Sequence, residues 1–239
     1  MDSDNIYDKI MQMFGKIPEN FSILEDQIDI KVQLNYFESS KKVKQNPDSK
    51  MKISEIKEKL FVDAIEIEEK KELLVQLANF DDVEAYRMLE KYFGSVVPEL
   101  KDWCALALQE SKMNLESVLL DENQVIISTG LGGKGKKLRY FAVLATKNEN
   151  NYTSLQQKLV EKELDFTLRK REGEIEKIEF DDTFCTLLAV VPINVSIKDL
   201  IGETIEECNQ IGNFIDPKFI LTNVKVFSKE EIKSSWKNI

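Results

Sequence analysis

The sequence contains no histidine among its 239 residues. Histidine is the commonest general base and a frequent metal ligand, so its absence excludes Ser–His and Cys–His nucleophile pairs and histidine-ligated metal sites. Carboxylate, lysine, tyrosine and cysteine chemistry is left, and no spacing of these residues singles out a reactive group. The sequence therefore predicts no catalytic residue, no metal ligand and no cofactor, and we expect a protein that is not an enzyme.

Cysteine is scarce, and its three copies are Cys104, Cys185 and Cys208. Their odd number and wide separation disfavour a disulfide framework, and the lack of a close CxxC pair disfavours a zinc site. No apolar run approaches the ~20 residues that a membrane helix needs. The first residues, MDSDNIYDKIMQMF, are acidic where a secretory signal would be basic. These features predict buried, reduced thiols in a cytoplasmic protein with no membrane partner.

The chain is poor in positive charge. It has 33 Lys and Arg against 43 Asp and Glu, a net charge of −10. Residues 1–120 hold 16 basic and 24 acidic residues, which leaves 17 and 19 for residues 121–239. Bulk affinity for nucleic acid or an anionic membrane is therefore not expected, although a local basic patch is compatible with this balance.

The first 53 residues show only weak periodicity. Residues 5–17 predict a short helix, and residues 28–34, in which every second residue is apolar, predict a strand. Residues 38–52, ESSKKVKQNPDSKMK, are polar, rich in lysine and interrupted by Pro47, which is typical of an exposed linker. We therefore assign residues 1–53 to a poorly defined N-terminal segment and linker.

Residues 54–120 show helical periodicity. The third of three successive amphipathic patterns places Leu100, Trp103, Cys104 and Ala107 on one face. The phrase NFDDVEAYRMLEKYF…VPELKDWCALALQES resembles HEAT-type helical repeats over about residues 67–113. That resemblance implies a surface for binding other macromolecules. A small helical bundle is the alternative.

Residues 121–239 show strand-like runs and two helices. The apolar runs lie at 124–128, 138–146, 175–180, 183–191 and 219–227. Capping-box patterns at Thr153 and Ser196 open the helices. From residue 138 the order is βαββαβ, so we predict an α+β fold with a ferredoxin-like antiparallel sheet. The extra run at 124–128 leaves a duplicated ββα unit as the alternative, because this run would naturally form a hairpin with 138–146.

The segment GLGGKGKK, residues 130–137, is the one local concentration of glycine and lysine. It nearly matches a Walker A loop, but lysine stands where Ser or Thr must bind Mg²⁺, and a strand follows instead of a helix, which argues against ATP or GTP hydrolysis. The segment is either a simple hairpin turn or an anion-binding finger with exposed main-chain amides. The candidate binding residues are Gly130, Gly132, Gly133, Lys134, Gly135, Lys136, Lys137 and Arg139.

These observations lead to two hypotheses. The first is a non-enzymatic cytoplasmic adaptor that binds a protein partner through its helical surface and the basic hairpin. The alternative is an RNA- or nucleotide/phosphate-binding module that uses the 130–139 loop. Nucleic acid is the less favoured partner, because the third strand of the βαββαβ order, TFCTLLAVV at 183–191, lacks the aromatic and basic residues of RNA-recognition domains.

Overall fold

The computed structural model describes residues 15, 18, 20–46, 51–122, 124–147 and 150–238. The chain divides into a helical unit, Asn20–Ile127, and a sheet unit that contains Ser128–Ile239. The short helix predicted for residues 5–17 lies outside the described residues apart from Gly15, as does Pro47 of the predicted linker.

The elements of the helical unit are, in chain order, β1 (Phe21–Ile23), α1 (Ile30–Gln45), α2 (Ile53–Leu60), α3 (Ile67–Ala78), α4 (Val83–Phe93), α5 (Pro98–Leu120) and β2 (Val125–Ile127). Those of the sheet unit are β3 (Gly133–Lys134), β4 (Lys137–Thr146), α6 (Ser154–Lys170), β5 (Glu174–Asp181), β6 (Phe184–Pro192), α7 (Ile197–Gly212), β7 (Ile215–Thr222) and α8 (Lys229–Trp236).

Helix α1 occupies much of the region in which a strand was predicted, so the prediction for residues 28–34 is wrong. The side chain of Asp29 accepts a hydrogen bond from the backbone N–H of Lys31 at 2.7 Å and so caps the helix at its start. The helix buries the polar residues Gln33 and Tyr36, whereas Leu34 is 57% exposed. Apolar alternation fails as a strand signal here because tertiary contacts bury polar side chains of this segment.

Helix α5 lies at the centre of the helical unit, in contact with α1, α3 and α4. The residues predicted on its apolar face, Leu100, Trp103, Cys104 and Ala107, are buried in one core. Strand β1 pairs in parallel with β2 and so joins the two ends of the unit. Helices α3, α4 and α5 contain the segment that resembles HEAT repeats, and α1, from outside that segment, packs against α5 in the same core. The helices therefore form a bundle in place of the predicted HEAT-type repeat.

A buried carboxylate connects α1 to α5. Glu110 is 3% exposed, and it accepts hydrogen bonds from Tyr36 Oη at 2.7 Å, Ser40 Oγ at 2.6 Å and Lys44 Nζ at 2.7 Å. A charge can be buried only when it is paired and hydrogen-bonded in this way. Burial, together with the Glu110 carboxylate, raises the pKa of Tyr36 well above its ordinary value. The phenol therefore stays protonated and donates.

The sheet unit has the predicted ferredoxin-like order. Its antiparallel strands lie in the order β7–β4–β6–β5, and β3 pairs with the beginning of β4. The α+β fold class is confirmed. The run predicted at 124–128 does not join this sheet, because β2 pairs with β1 in the helical unit. The duplicated ββα alternative is therefore wrong.

The two faces of the sheet are covered by different elements. Helices α6 and α7 pack against each other, and they contact β5 and β7 respectively. On the other face, Ile232 of α8 and Leu131 of the loop before β3 pack against Phe141, Val143 and Ile220. No helix among the described residues is both long and apolar enough to cross a membrane.

Candidate functional site: the basic hairpin

The candidate segment forms a tight β-hairpin at one end of the sheet. Lys134 of β3 lies opposite Lys137 of β4, so Gly135 and Lys136 form a two-residue turn. Gly135 has a φ of +60°, and glycine at the first turn position is the preference of a type II′ hairpin. Lys134, Gly135 and Lys136 are exposed, and Lys137 is half-buried. The turn therefore holds three lysines together at the end of a regular strand pair.

The other three glycines of the segment, Gly130, Gly132 and Gly133, are buried, and Gly132 has a φ of +65°. A Cβ on Gly130 would lie 1.8 Å from the carbonyl oxygen of Val224. The next amide, that of Leu131, donates to the carbonyl of Asn223 at 3.0 Å. The expectation that the glycines expose their amides to a ligand is thus not met in this part of the loop.

Arg139 holds the hairpin against the sheet. Its guanidinium donates to the Glu176 carboxylate at 2.5 and 2.9 Å and to the carbonyl of Leu131 at 2.7 Å. Its side chain is only 12% exposed. A bidentate arginine–carboxylate pair of this kind is geometrically specific. Arg139 therefore shapes the loop, and it presents little surface to an outside ligand.

Lys134 is paired more loosely. Its ammonium group lies 3.0 and 3.2 Å from the two carboxylate oxygens of Glu174. The hydrogen bond from Lys134, followed by the charges of Lys134 and Lys137, holds the pKa of Glu174 below its ordinary value. Both side chains are more than half exposed. Such surface pairs add little to stability and exchange readily for another anion.

Two aromatic residues follow the hairpin on β4. Tyr140 and Phe141 are 7% and 4% exposed, so both belong to the core. Burial raises the pKa of Tyr140 to about 12. The sheet face that carries Phe141 is covered by Leu131 and α8. RNA-recognition domains stack bases on a sheet face. Here such stacking would require Leu131 and α8 to move away from the sheet.

Sequence reasoning missed the cations at the end of α6. Arg169 and Lys170 are exposed, and Glu174, four residues after Lys170, is the carboxylate that pairs with Lys134. The fold therefore brings Glu174, which closely follows this second basic segment in the chain, into contact with the hairpin. The run LRKRE at 168–172 was the available signal, but only the sheet pairing relates it to residues 134–137.

No protein-family model matches the sequence, and no curated protein matches it. Two solved structures are similar in part. A putative transposase from Deinococcus radiodurans is 16% identical, with 43% of this chain and 90% of that chain covered and a TM-score of 0.37. A REP-associated tyrosine transposase bound to a REP hairpin is 13% identical, with 44% and 63% covered and a TM-score of 0.34.

These comparisons correct several expectations from the sequence. Both structures are of transposases, and neither is of a helical-repeat adaptor. The resemblance to HEAT repeats is not supported, because no helical-repeat protein is among these structures. The hypotheses of a non-enzymatic adaptor and of a protein partner favoured over nucleic acid are likewise corrected, because the solved structures found are of transposases.

Proposed function

We propose that this protein binds the phosphate backbone of nucleic acid through the lysines of the basic hairpin, Lys134, Lys136 and Lys137. The observation that carries the proposal is their placement. A two-residue turn holds all three at the tip of one hairpin, where Lys134 and Lys136 are exposed. Gly130, Gly132, Gly133, Gly135 and Arg139 belong to the same site because they give the loop its shape.

The hairpin offers ammonium groups more than backbone amides. Gly132 N–H donates to Thr129 and Arg139 N–H donates to Gly132, so these amides are used within the loop. A strand follows the loop, so the loop does not lead into a helix N-terminus that could hold a nucleoside triphosphate. Lysine binds phosphate as a flexible point charge. These properties favour contact with successive phosphates of a polymer over enclosure of a single nucleotide.

The exposed pair between Lys134 and Glu174 does not prevent binding. A phosphate can replace the carboxylate, because a solvent-exposed ion pair is weak and screened by salt. The net charge of −10 repels a polyanion from the rest of the chain. Binding is therefore expected to be local, modest in affinity and steeply dependent on salt.

Fluorescence anisotropy with labelled oligonucleotides, single- and double-stranded, at low salt tests the proposal. The wild-type protein should bind, and replacing all three lysines by alanine should weaken binding about tenfold. The slope of log K against log salt should become less steep by roughly 2 for a single strand, because three phosphate contacts are lost at about 0.7 each.

A matched control removes the same charge from exposed lysines of the helical unit: Lys31→Ala, Lys41→Ala and Lys101→Ala. This variant should bind as the wild type does. Absence of binding at low salt, or equal affinity of the hairpin variant and the wild type, would refute the proposal.

A further inference from the structure

Helix α6 presents a basic and apolar stripe to solvent. At about 100° per residue, seven of its residues lie within about 60° of the direction of Leu155. These residues are Leu155, Lys158, Leu159, Lys162, Phe166, Arg169 and Lys170. All are exposed except Leu159, which is half-buried. The same stripe thus carries four cations and three apolar side chains.

The stripe has one sign of charge. The acidic residues of α6, Glu161, Glu163 and Asp165, lie outside it, at about 80° or more from Leu155. The opposite side of the helix is packed, with Val160 and Leu164 fully buried. Four cations therefore follow one another over about 18 Å of helix surface on a chain whose net charge is negative.

Phe166 is the aromatic residue of this stripe. It is 64% exposed, although the core of the sheet lies on the other side of its helix. Lys162, Arg169 and Lys170 lie within about one turn of it. Arg169 pairs with Asp165 at 2.8 Å, but its side chain is 77% exposed, so the pair can open. An aromatic ring among exposed cations is the arrangement on which unpaired bases stack.

The stripe also continues toward the hairpin. It ends at Lys170, and after three intervening residues Glu174 opens β5 and pairs with Lys134. A polyanion bound at the hairpin would therefore meet Lys170, Arg169 and then Phe166 along α6. Cations of the two segments belong to one unit of the chain.

We infer that the α6 stripe binds single-stranded nucleic acid, with the backbone along its cations and an unpaired base on Phe166. This inference rests on the part of the proposed function that makes nucleic acid the ligand, and it narrows that ligand to single strands. Bases of a duplex are already stacked on each other, whereas an unpaired base can stack on an exposed ring. The hairpin supplies phosphate contacts to either form, and the stripe distinguishes them.

The test measures the affinity of Phe166→Ala for a single strand and for a duplex of the same sequence. Affinity for the single strand should fall at least about fivefold, because base–aromatic stacking is lost, and affinity for the duplex should not change. Phe166→Leu keeps an apolar side chain but removes the ring, and it should behave as Phe166→Ala does. The exposed position of Phe166 makes folding insensitive to both changes, which circular dichroism checks.

A second variant tests the backbone contacts. Lys158→Ala with Lys162→Ala should reduce the salt slope for a single strand by roughly 1.4. The control, Lys31→Ala with Lys41→Ala on α1, should leave it unchanged.

The two proposals fail in different ways. If the hairpin variant loses binding while the α6 variants bind both nucleic acids as the wild type does, the stripe is refuted and the hairpin stands. If only the α6 variants lose binding, the hairpin proposal is refuted and the stripe stands. Sedimentation with anionic phospholipid vesicles that depends on Phe166, without binding to any oligonucleotide, would overturn the inference in favour of a membrane surface.

Discussion

At the scale of single residues, Gly130 is a position where the loop has little freedom to change. Its Cβ position is occupied by the Val224 carbonyl at 1.8 Å, and this neighbour is backbone that cannot rotate away. We expect Gly130→Ala to lower the free energy of unfolding by at least about 2 kcal/mol, because the packed backbone segments must separate. Urea denaturation measures this change.

Gly202→Ala is the matched control for Gly130→Ala. Gly202 lies inside α7 with no atom near its Cβ position. This substitution should raise the free energy of unfolding by about 0.5–1 kcal/mol, because alanine restricts the unfolded chain and favours helix. Equal effects of the two substitutions would show that the close approach to Val224 is not a real constraint.

The three thiols give a second residue-scale prediction. Burial raises the pKa of Cys104 and that of Cys208 to about 12, and burial also raises that of Cys185. Native protein at pH 8 should therefore resist alkylation by iodoacetamide, and all three thiols should react in urea. Rapid modification of the folded protein, measured by mass spectrometry, would contradict this.

The same thiols affect stability in alkali. The pKa of each thiol is raised in the folded state. The folded protein therefore retains thiol protons that the unfolded chain loses above about pH 8.5. The free energy of unfolding should thus be unaffected by the thiols below that pH and fall as the pH rises toward 12, by up to about 1.4 kcal/mol per thiol and pH unit. Replacing Cys104 by Ser should reduce this slope in urea titrations at pH 8–10.

At the scale of elements, the link between α1 and α5 depends on Glu110. Tyr36→Phe removes one of its three hydrogen bonds and keeps the ring that packs against Trp103 at 5.3 Å. We expect a loss of about 1.5–3 kcal/mol in the free energy of unfolding, as for hydrogen bonds to a charged group. Phe37→Ala on the outward side of α1 should cost less, since Phe37 is 38% exposed.

The elements also show how far patterns in the sequence reach. The sheet unit was predictable because central strands are apolar throughout while edge strands carry charge, and β4 and β6 lie at the centre as that rule requires. Thr153 and Ser196 cap α6 and α7 as predicted. Helix α1 was not predictable in this way, because the side it buries is polar and its partners come from α5.

The candidate site likewise has a part that local sequence patterns predict and a part that only long-range contacts determine. The hairpin itself followed from glycine and lysine next to a strand, and these patterns are local. The pairing of Arg139 with Glu176 and of Lys134 with Glu174 joins residues about 40 positions apart. The burial of three glycines likewise depends on Val224 and on the core around Leu131. Local patterns contain no information on such partners.

At the scale of the whole molecule, the helical unit has its own core, and its two ends are joined by β1 and β2. Asn20 also donates to Glu122 at 2.6 Å. We expect a fragment of residues 20–127 to fold alone and to unfold in one cooperative transition, as measured by circular dichroism. Tyr36→Phe should lower the midpoint of this fragment, and a fragment without residues 20–24 should be markedly less stable.

The sequence by itself determined the βαββαβ order of the sheet unit, the acidic balance of the chain and the lack of imidazole chemistry, because composition and local periodicity express these directly. It did not predict β3 or α8. Only the tertiary structure decided that α1 is a helix, that β2 pairs with β1 and not with the sheet, and that Glu174, shortly after the α6 cations, pairs with Lys134 of the hairpin. Each of those outcomes depends on contacts between residues far apart in the chain, and such contacts form only when the surfaces they bury come together.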